Sequence, residues 1–236
     1  AMWERQQRGD SPAAFAVRLA DDADPYGIAP ILCAGVTTYR GLRRTGARAG
    51  QWVAVIGVGG LGHIAVQYAR AMGHRVVAVD VDDEKLALAA SLGAEVTVNG
   101  RSSDSVAEVW RAVGGVHAAL VTAVAPSAFE QSVPMLRPGG TVCFIGLPGG
   151  ESDRIAMSIA SIVNAEATVR GSNVGTRADL AEAVAFAARG QVTASTTIAE
   201  FADVNTVLDD MRAGRVTSML ATLVQLFGEQ KAFDLM

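Results

Sequence analysis

The sequence predicts a doubly wound α/β fold, in which helices cover both faces of a six-stranded parallel sheet. From Trp52 onward, short apolar runs alternate with segments of helical periodicity, as in parallel sheets that are buried on both faces. The glycine-rich run GVGGLG, residues 57–62, separates an apolar run from a helical pattern. A glycine-rich loop in that place is typical of the first turn of this fold.

Strands are predicted where β-branched and other apolar residues run together between turn signals. In chain order the predicted strands are 52–56, 75–80, 95–98, 116–122, 141–145 and 168–171. Pro138-Gly139-Gly140 and Pro148-Gly149-Gly150 lie at the two ends of the fifth strand and predict turns there.

Helices are predicted between these strands. The helix after the glycine run is indicated by Leu61, Ala65, Tyr68 and Met72, which recur at helical spacing. The predicted helices are 61–72, 83–92, 104–113, 127–136 and 177–188. Right-handed crossovers through such helices place the strands side by side in one sheet.

The stretch before Trp52 differs in character from the rest of the chain. It is polar, is broken by Pro12 and Pro25, and has no sustained periodicity. We therefore expect residues 1–30 to form an arm and residues 31–194 to form the doubly wound domain. Residues 195–236 are expected to form a C-terminal segment with a helix and a strand.

Composition excludes several classes of partner. The net charge is −4, only 19% of residues are charged, and Lys and Arg do not cluster, so nucleic acid is not expected as a partner. No apolar run approaches the ~20 residues that span a bilayer, so we expect no membrane segment and a cytoplasmic protein. The two cysteines, Cys33 and Cys143, cannot form a disulfide framework, and each is expected to be a small buried apolar residue.

The glycine loop has the features of a dinucleotide site. Gly57 would permit the tight turn, Gly59 would let a pyrophosphate approach the backbone, and Gly62 would let helix and strand pack closely. The free amides of the helix start would face the phosphates. Asp80 ends the second strand 23 residues after Gly57, where a carboxylate accepts hydrogen bonds from ribose hydroxyls and repels a 2′-phosphate. The pattern therefore favours NAD over NADP.

Two other interpretations of the loop stay open. The glycines could serve packing alone in a fold that binds no nucleotide. Methyltransferases that use S-adenosylmethionine also combine a glycine loop with an acidic strand end, but their usual spacing has a glycine where Leu61 stands.

Several longer phrases carry a family resemblance. PILCAGVTTYRGLRRTGARAGQWVAVIGVGGLGHIAVQYARAMG, VVAVDVDDEKLALAASLGA, GGVHAALVTAV, FIGLPGG and GSNVGTRADLAEAVAFAARG closely resemble the zinc-dependent alcohol dehydrogenases of the medium-chain dehydrogenase/reductase family. The likeness is greatest to the bacterial and yeast-like branch, and it extends from about Phe15 to Met211.

The resemblance implies a set of cofactor-binding residues. The residues implied at the pyrophosphate are Gly57, Gly59, Gly60, Leu61 and Gly62, and those implied at the adenosine ribose are Asp80 and Lys85. The residues implied along the cofactor are Thr122, Ala123 and Val124. The residues implied around the nicotinamide and its ribose are Thr37, Ile145, Gly146, Leu147 and Val174.

Some of these positions also have a purely structural interpretation. Lys85 could be a solvated residue on an exposed helix face, and Thr37 and Val174 could serve ordinary packing. His63, in the first turn after the loop, could donate to a phosphate or be a solvated residue at a helix end.

Zinc is harder to place. In the resembling family a longer N-terminal lobe holds a catalytic zinc through a cysteine, a histidine and a second cysteine, and Cys33 matches the last of these. Cys143 lies in a predicted strand, while His74 and His117 begin strands at the far side of the sheet from the cofactor. A zinc site needs three or four protein ligands, so we expect Cys33 to be vestigial and zinc not to be held by one chain.

The predicted function follows from the resemblance. We expect a truncated, NAD(H)-binding oxidoreductase that transfers hydride between an alcohol or aldehyde and NAD. The alternatives are a non-catalytic NAD(H)-binding partner, sensor or pseudoenzyme, and a structural partner that no longer binds nucleotide. The family also implies a homodimer that pairs through an edge strand near residues 154–158. The resembling family has a Gly-Arg pair near its C-terminus, whose arginine binds a phosphate. Ser218-Met219 align with that pair here, and the nearby Arg215 lies four positions before the place of the arginine.

Overall fold

The computed structural model describes residues 16–19, 23–149, 153–196 and 203–213. Six parallel strands form one sheet in the order β3-β2-β1-β4-β5-β6. They are β1 Trp52–Ile56, β2 Arg75–Asp80, β3 Val96–Asn99, β4 Val116–Val121, β5 Leu136–Phe144 and β6 Thr168–Gly171. The six-stranded doubly wound prediction is confirmed.

Helices connect the strands and flank the sheet within the described ranges. They are α1 Pro25–Ile28, α2 Ala34–Thr45, α3 Gly60–Ala71, α4 Asp83–Ser91, α5 Ser105–Val113, α6 Pro126–Ser132, α7 Ile159–Asn164, α8 Arg177–Ala188 and α9 Val204–Arg212. A 3-10 turn, Ala29–Leu32, joins α1 to α2. In these ranges no helix combines the length and apolar character needed to cross a membrane.

Strand order places a crevice at one edge of the sheet. β1 pairs with β2 on one side and with β4 on the other, so the chain changes winding direction between β1 and β4. The connections that leave the carboxyl ends of these two strands therefore diverge to opposite sides. In open parallel sheets, ligands bind in the crevice at that point.

The sheet separates two apolar cores. Val53 and Val55 of β1 face a core shared with α2, α3 and α8. Ala54 and Ile56 face a second core that includes Val109 of α5. This alternation along one strand explains why β1 is apolar at every position, since both of its faces are covered.

Helix α2 is a part of the core that sequence patterning missed. Leu42 is 1% exposed, and a Cβ at Gly41 would lie 2.7 Å from a Leu120 methyl carbon, so the helix packs closely on the sheet. Tyr39 of α2 lies 5.5 Å from Tyr68 of α3 and 5.7 Å from Phe186 of α8, measured between ring centroids. These contacts fix α2 between two helices and the sheet.

The fifth strand differs from its prediction. β5 begins at Leu136, five positions before the predicted start at Thr141, and α6 ends at Ser132 instead of residue 136. The register slips between Val116↔Leu136 and Ala118↔Thr141. That irregularity accommodates Pro138 and the glycine after it, because a bulge tolerates a residue without an N–H donor. The predicted turn at 138–140 is therefore wrong.

Several expectations concern the ends and edges of the chain. Leu19, in the predicted arm, packs against the core shared by α2 and α3, and α9 supplies the helix expected in the C-terminal segment. The strand of that segment, Arg215 and Ser218-Met219 lie outside the described residues. Residues 154–158 form no strand within the single chain. Because pairing there would need a second chain, the dimer edge stays a prediction, as do the domain boundaries.

The core role of α2 predicts a large stability effect at Leu42. Replacing Leu42 by Ala should lower the free energy of unfolding by about 2–5 kcal/mol, because it leaves a cavity among packed side chains. Urea unfolding followed by circular dichroism measures the change. Leu208→Ala is the matched control, since Leu208 is 43% exposed and should change stability by about 0.5 kcal/mol or less. Equal effects of the two variants would contradict a buried α2.

Candidate functional site

The glycine loop, residues 57–62, joins β1 to α3 in a turn that its glycines require. Gly57 has a φ of +93°, a conformation that side chains rarely adopt. Its N–H donates to the Val79 carbonyl at 2.8 Å, which extends the pairing of β1 with β2. A Cβ at Gly62 would overlap the carbonyl oxygen of Gly57. Both predicted packing roles are therefore visible in the structure.

The middle glycine faces open space. Gly59 precedes the first residue of α3, and a Cβ built on it would have no neighbouring atom within 4 Å. Gly60, Leu61 and Gly62 form the first turn of α3, whose leading N–H groups have no intrahelical acceptor. The helix start thus offers donors and a partial positive charge beside a free volume.

Asp80 links the second strand to the loop. Its carboxylate accepts hydrogen bonds from the N–H groups of Val58 at 2.5 Å, Val81 at 2.7 Å and Asp82 at 3.2 Å. A carboxylate offers about four acceptor positions, so these three bonds leave acceptor capacity for a ligand hydroxyl. The sequence predicts a ribose acceptor at Asp80, which stays a prediction, and it does not predict the support that Asp80 gives to the loop backbone.

Lys85 lies near Asp80 along the chain. It occupies the first turn of α4, and its N–H donates to Asp82, the residue that caps this helix. Its side chain is half-buried, which differs from a fully solvated position. The structure thus places Lys85 in the first turn of the helix that follows β2.

Thr122 and Ala123 follow β4 and lie directly behind the loop. The Thr122 hydroxyl donates to the Gly57 carbonyl at 2.6 Å, and the Ala123 N–H donates to the Ile56 carbonyl at 3.1 Å. A Cβ at Gly57 would lie 2.7 Å from the Ala123 nitrogen. The side chain of the next residue, Val124, is 58% exposed. These contacts fix the end of β4 against the end of β1.

Residues 145–147 continue the same edge at the end of β5. Ile145 and Gly146 both donate their N–H groups to the Val121 carbonyl, at 3.0 and 2.9 Å. A Cβ at Gly146 would overlap the carbonyl oxygen of Ala123, so Gly146 lies against the connection after β4. Leu147 is 88% exposed at the open side of this edge.

Thr37 and Val174 come from α2 and from the loop after β6. The Thr37 hydroxyl donates to the Cys33 carbonyl at 2.7 Å, and Thr37 is 9% exposed. Val174 has a φ of +49°, which is strained for a β-branched residue, and it is 44% exposed. Strain of this kind is concentrated at functional sites. The next residue, Gly175, lies against Val36 of α2, so this loop is fixed on α2.

Cys33 precedes α2 and is exposed, whereas Cys143 is buried. The expectation that both cysteines are buried is therefore wrong for Cys33, which lies at a helix start and not in the core. Among the described residues, no group of three or more His, Cys, Asp or Glu side chains is arranged to hold a metal ion. Three or four ligands are needed for zinc, so the described part of the chain does not make a zinc site around Cys33.

His63 is enclosed in the protein, which neither interpretation of it anticipated. It is 4% exposed, its Nδ1 lies 3.2 Å from the Gly59 carbonyl, and its Nε2 accepts from the Ser195 N–H at 3.0 Å. It is neither solvated nor free to donate to a phosphate. Burial lowers the pKa of His63, while bonds to backbone carbonyls of the loop oppose that shift.

Comparisons with known proteins identify relatives of the chain. The family model described as zinc-binding dehydrogenase matches residues 60–189. An alcohol dehydrogenase of Geobacillus stearothermophilus is 47% identical over 210 residues, which cover 89% of this chain and 61% of that protein. An alcohol dehydrogenase of Rhizobium meliloti (strain 1021) is 50% identical over 188 residues, or 80% of this chain and 54% of that protein.

A solved structure shows the same fold. The alcohol dehydrogenase of the archaeon Aeropyrum pernix superposes with a TM-score of 0.78 at 31% identity, over 86% of this chain and 60% of that chain. The chain therefore spans only about 60% of the length of such relatives.

The buried histidines predict a loss of stability in mild acid. Burial lowers the pKa of His63 and His74 below 6.5, and burial together with Arg137 lowers that of His117. Below pH 6.5 the unfolded chain therefore binds more protons than the folded one, and the free energy of unfolding should fall as pH decreases. The contribution is complete above pH 6.5 and is lost as pH falls through the folded pKa values.

Urea unfolding between about pH 7.5 and about pH 5 measures this dependence. His74→Asn should make the free energy of unfolding depend less steeply on pH. His74 is 7% exposed, and its Nε2 has no hydrogen-bond partner among the described residues. A free energy of unfolding that stays constant or rises toward pH 5 would contradict the assignment of neutral buried histidines.

Proposed function

The chain belongs to the zinc-binding dehydrogenase family, and on that basis we propose that it binds NAD(H) as an oxidoreductase of the alcohol dehydrogenase type. The reaction is hydride transfer between an alcohol or aldehyde and NAD. Two of its relatives are alcohol dehydrogenases at 47% and 50% identity. The chain spans only part of their length, so the activity and the substrates are carried over as proposals.

The open volume at Gly59 is the observation that carries the proposal. A side chain at Gly59 would meet no protein atom within 4 Å, whereas side chains at Gly57 and Gly62 would meet backbone closely. Packing requires two of the glycines, but it does not require the third. A pyrophosphate at this volume would meet the N–H groups of the first turn of α3. The residues of the loop therefore fit the diphosphate of a dinucleotide.

The adenosine end fits NAD better than NADP. Asp80 retains acceptor capacity beside its bonds to Val58, Val81 and Asp82. A ribose hydroxyl could donate to that carboxylate, whereas a 2′-phosphate would face its negative charge. We assign Lys85 to the same ribose because it lies in the first turn of α4, the helix that follows Asp80 in the chain.

The nicotinamide end is assigned to the edge formed by β4, β5, α2 and the loop after β6. The residues proposed there are Thr37, Thr122, Ala123, Val124, Ile145, Gly146, Leu147 and Val174. Bound NAD supplies the hydride-transferring ring, and the chain's own residues hold that ring at the end of the crevice. The contact of Gly146 with Ala123 and the bond of Thr122 to Gly57 make this edge rigid.

A second candidate function is non-catalytic NAD(H) binding, by a partner, sensor or pseudoenzyme. It is favoured by the exposure of the proposed nicotinamide edge, where Leu147 is 88%, Val124 58% and Val174 44% exposed. Catalysis next to that edge would need groups to polarise the substrate and accept its proton. Cys33 is the position where family zinc would be sought, but the described residues supply no group of ligands for it.

We also propose a cytoplasmic, homodimeric protein. Both cysteines are free thiols, as is usual in a reducing compartment. Among the described residues β6 is a terminal strand of the sheet. Apolar side chains on β6 and on the preceding helix α7 are open to solvent: Ile159 is 80%, Val163 65% and Val169 39% exposed. A second copy of the chain would cover apolar side chains of this kind and pair with an edge strand.

Nucleotide binding is tested most cleanly at Gly59. Gly59→Ala should weaken NADH binding by at least about tenfold, because its methyl group occupies the volume assigned to the pyrophosphate. Fluorescence titration with NADH measures the affinity, and urea unfolding should show stability within about 0.5 kcal/mol of wild type. Gly171→Ala is the control, since its Cβ also meets open space but lies on β6. Unchanged affinity in Gly59→Ala would refute the proposed site. Wild type that binds no NADH would refute nucleotide binding altogether and favour a structural partner.

An assay of turnover distinguishes the oxidoreductase from the non-catalytic NAD(H)-binding protein. The chain is incubated with NAD and a panel of alcohols, and with NADH and a panel of aldehydes, each with and without added zinc. The oxidoreductase proposal predicts turnover above buffer for at least one pair, followed by NADH absorbance. Rates equal to buffer in a sample that binds NADH would favour the non-catalytic candidate.

Light scattering tests the dimer. The expected mass at micromolar concentration is about twice the 24.4 kDa of one chain, because association covers apolar side chains. The double variant Ile159→Glu and Val163→Glu should return the mass to that of one chain. A wild-type mass near 24.4 kDa would contradict the proposal.

A further inference from the structure

We propose that His63 is a positioning residue, which orients the backbone amides of the glycine loop toward the pyrophosphate and is itself held by the C-terminal segment through Ser195. The inference rests on the proposed binding of NAD(H) at the loop. It adds a residue that acts on the ligand only through the backbone of Gly59, and a segment more than a hundred positions away in the chain.

The tautomer of His63 follows from its two partners. Its Nε2 accepts the Ser195 N–H at 3.0 Å, so this nitrogen carries no proton. In a neutral imidazole the proton is then on Nδ1, and burial favours the neutral form. Nδ1 therefore donates to the Gly59 carbonyl at 3.2 Å. The Ser195 backbone thus decides which ring nitrogen is the donor.

The bond to Gly59 fixes a peptide plane of the loop. The Gly59 carbonyl also accepts the His63 N–H at 3.0 Å, so it receives two donors from one residue. Because C=O and N–H of a peptide group point in opposite directions, holding this carbonyl aims the Gly60 N–H away from the helix, toward the volume beside Gly59. A glycine has no side chain to restrict its own peptide, so an external bond is needed to fix that orientation.

The segment at residues 193–195 is held on α3 by a second residue, Gln67, one helical turn further from the loop. Gln67 donates to the Thr193 carbonyl and accepts the Thr193 N–H, both at 2.9 Å. It thereby binds the same segment as His63, and it also donates to the His63 backbone carbonyl at 3.1 Å. The hydrogen bonds of the described residues join Gln67 to neither Gly59 nor Gly60, and none of them joins it to the His63 ring. Gln67 therefore separates a role in holding the segment from a role in orienting the loop.

Two variants at His63 each remove one of its two side-chain hydrogen bonds. His63→Asn places an amide donor near the position of Nδ1 and removes the acceptor for Ser195. His63→Gln places its amide near the position of Nε2 and removes the donor to Gly59. We expect His63→Gln to weaken the binding of NADH and of ADP-ribose about fivefold, because an oriented donor is lost, and His63→Asn to stay within about twofold of wild type.

Gln67→Met is the matched control. It removes both bonds to Thr193 and the bond to the His63 carbonyl, so it should shift the urea midpoint of unfolding to a lower concentration while leaving the affinity for NADH unchanged, because the bond from the His63 ring to Gly59 remains. Ser195→Pro removes the N–H that fixes the tautomer without altering α3, and it should weaken NADH binding in the same direction as His63→Gln. All affinities are measured by calorimetric titration at a temperature where circular dichroism shows each variant folded.

The outcomes separate the two proposals. Wild type that binds no NADH would overturn the proposed function and this inference with it. Wild-type binding with unchanged affinity in His63→Gln, or with equal weakening in Gln67→Met, would overturn the inference alone. If His63→Gln does not fold, Ser195→Pro decides, and affinity equal to wild type in that variant overturns the inference.

Discussion

The close approach of Gly62 to the carbonyl oxygen of Gly57 is the constraint on which the site depends. A Cβ at Gly62 would overlap that oxygen, so helix α3 can begin directly above the end of β1 only with glycine there. The Thr122 hydroxyl binds the same oxygen at 2.6 Å. One carbonyl group therefore joins the ends of β1 and β4 to the start of α3, at the point where the sheet changes its winding direction.

The other loop contacts depend on this junction. Asp80 holds the N–H of Val58 at 2.5 Å, and His63 holds the carbonyl of Gly59, so the two residues that follow Gly57 are fixed by side chains from β2 and α3. Since these groups are bonded to protein before any ligand arrives, binding requires little ordering of the loop. Under the proposed function, the open volume at Gly59 would accept a pyrophosphate without rearrangement of the loop.

Local sequence patterns predicted the sheet and much of the loop, because buried parallel strands are apolar throughout and glycines mark tight turns. They did not predict α2, whose sequence AGVTTYRGLRRT has few large apolar residues and is buried by α3, α8 and the sheet. The early start of β5 depends on a register shift against β4. The role of His63 depends on Ser195, 132 positions later. Such non-local contacts leave no periodic signal in the chain.

Backbone amide NMR during an NADH titration tests whether the glycine loop is a formed dinucleotide site. If it is, saturable shifts should be largest for the N–H groups of Gly59, Gly60 and Leu61, with smaller shifts at Asp80 and its neighbours. Small shifts are expected across the rest of α3, because the loop is already ordered. Saturable binding that leaves the amides of residues 57–62 unchanged, or an absence of any shift at millimolar NADH, would contradict it.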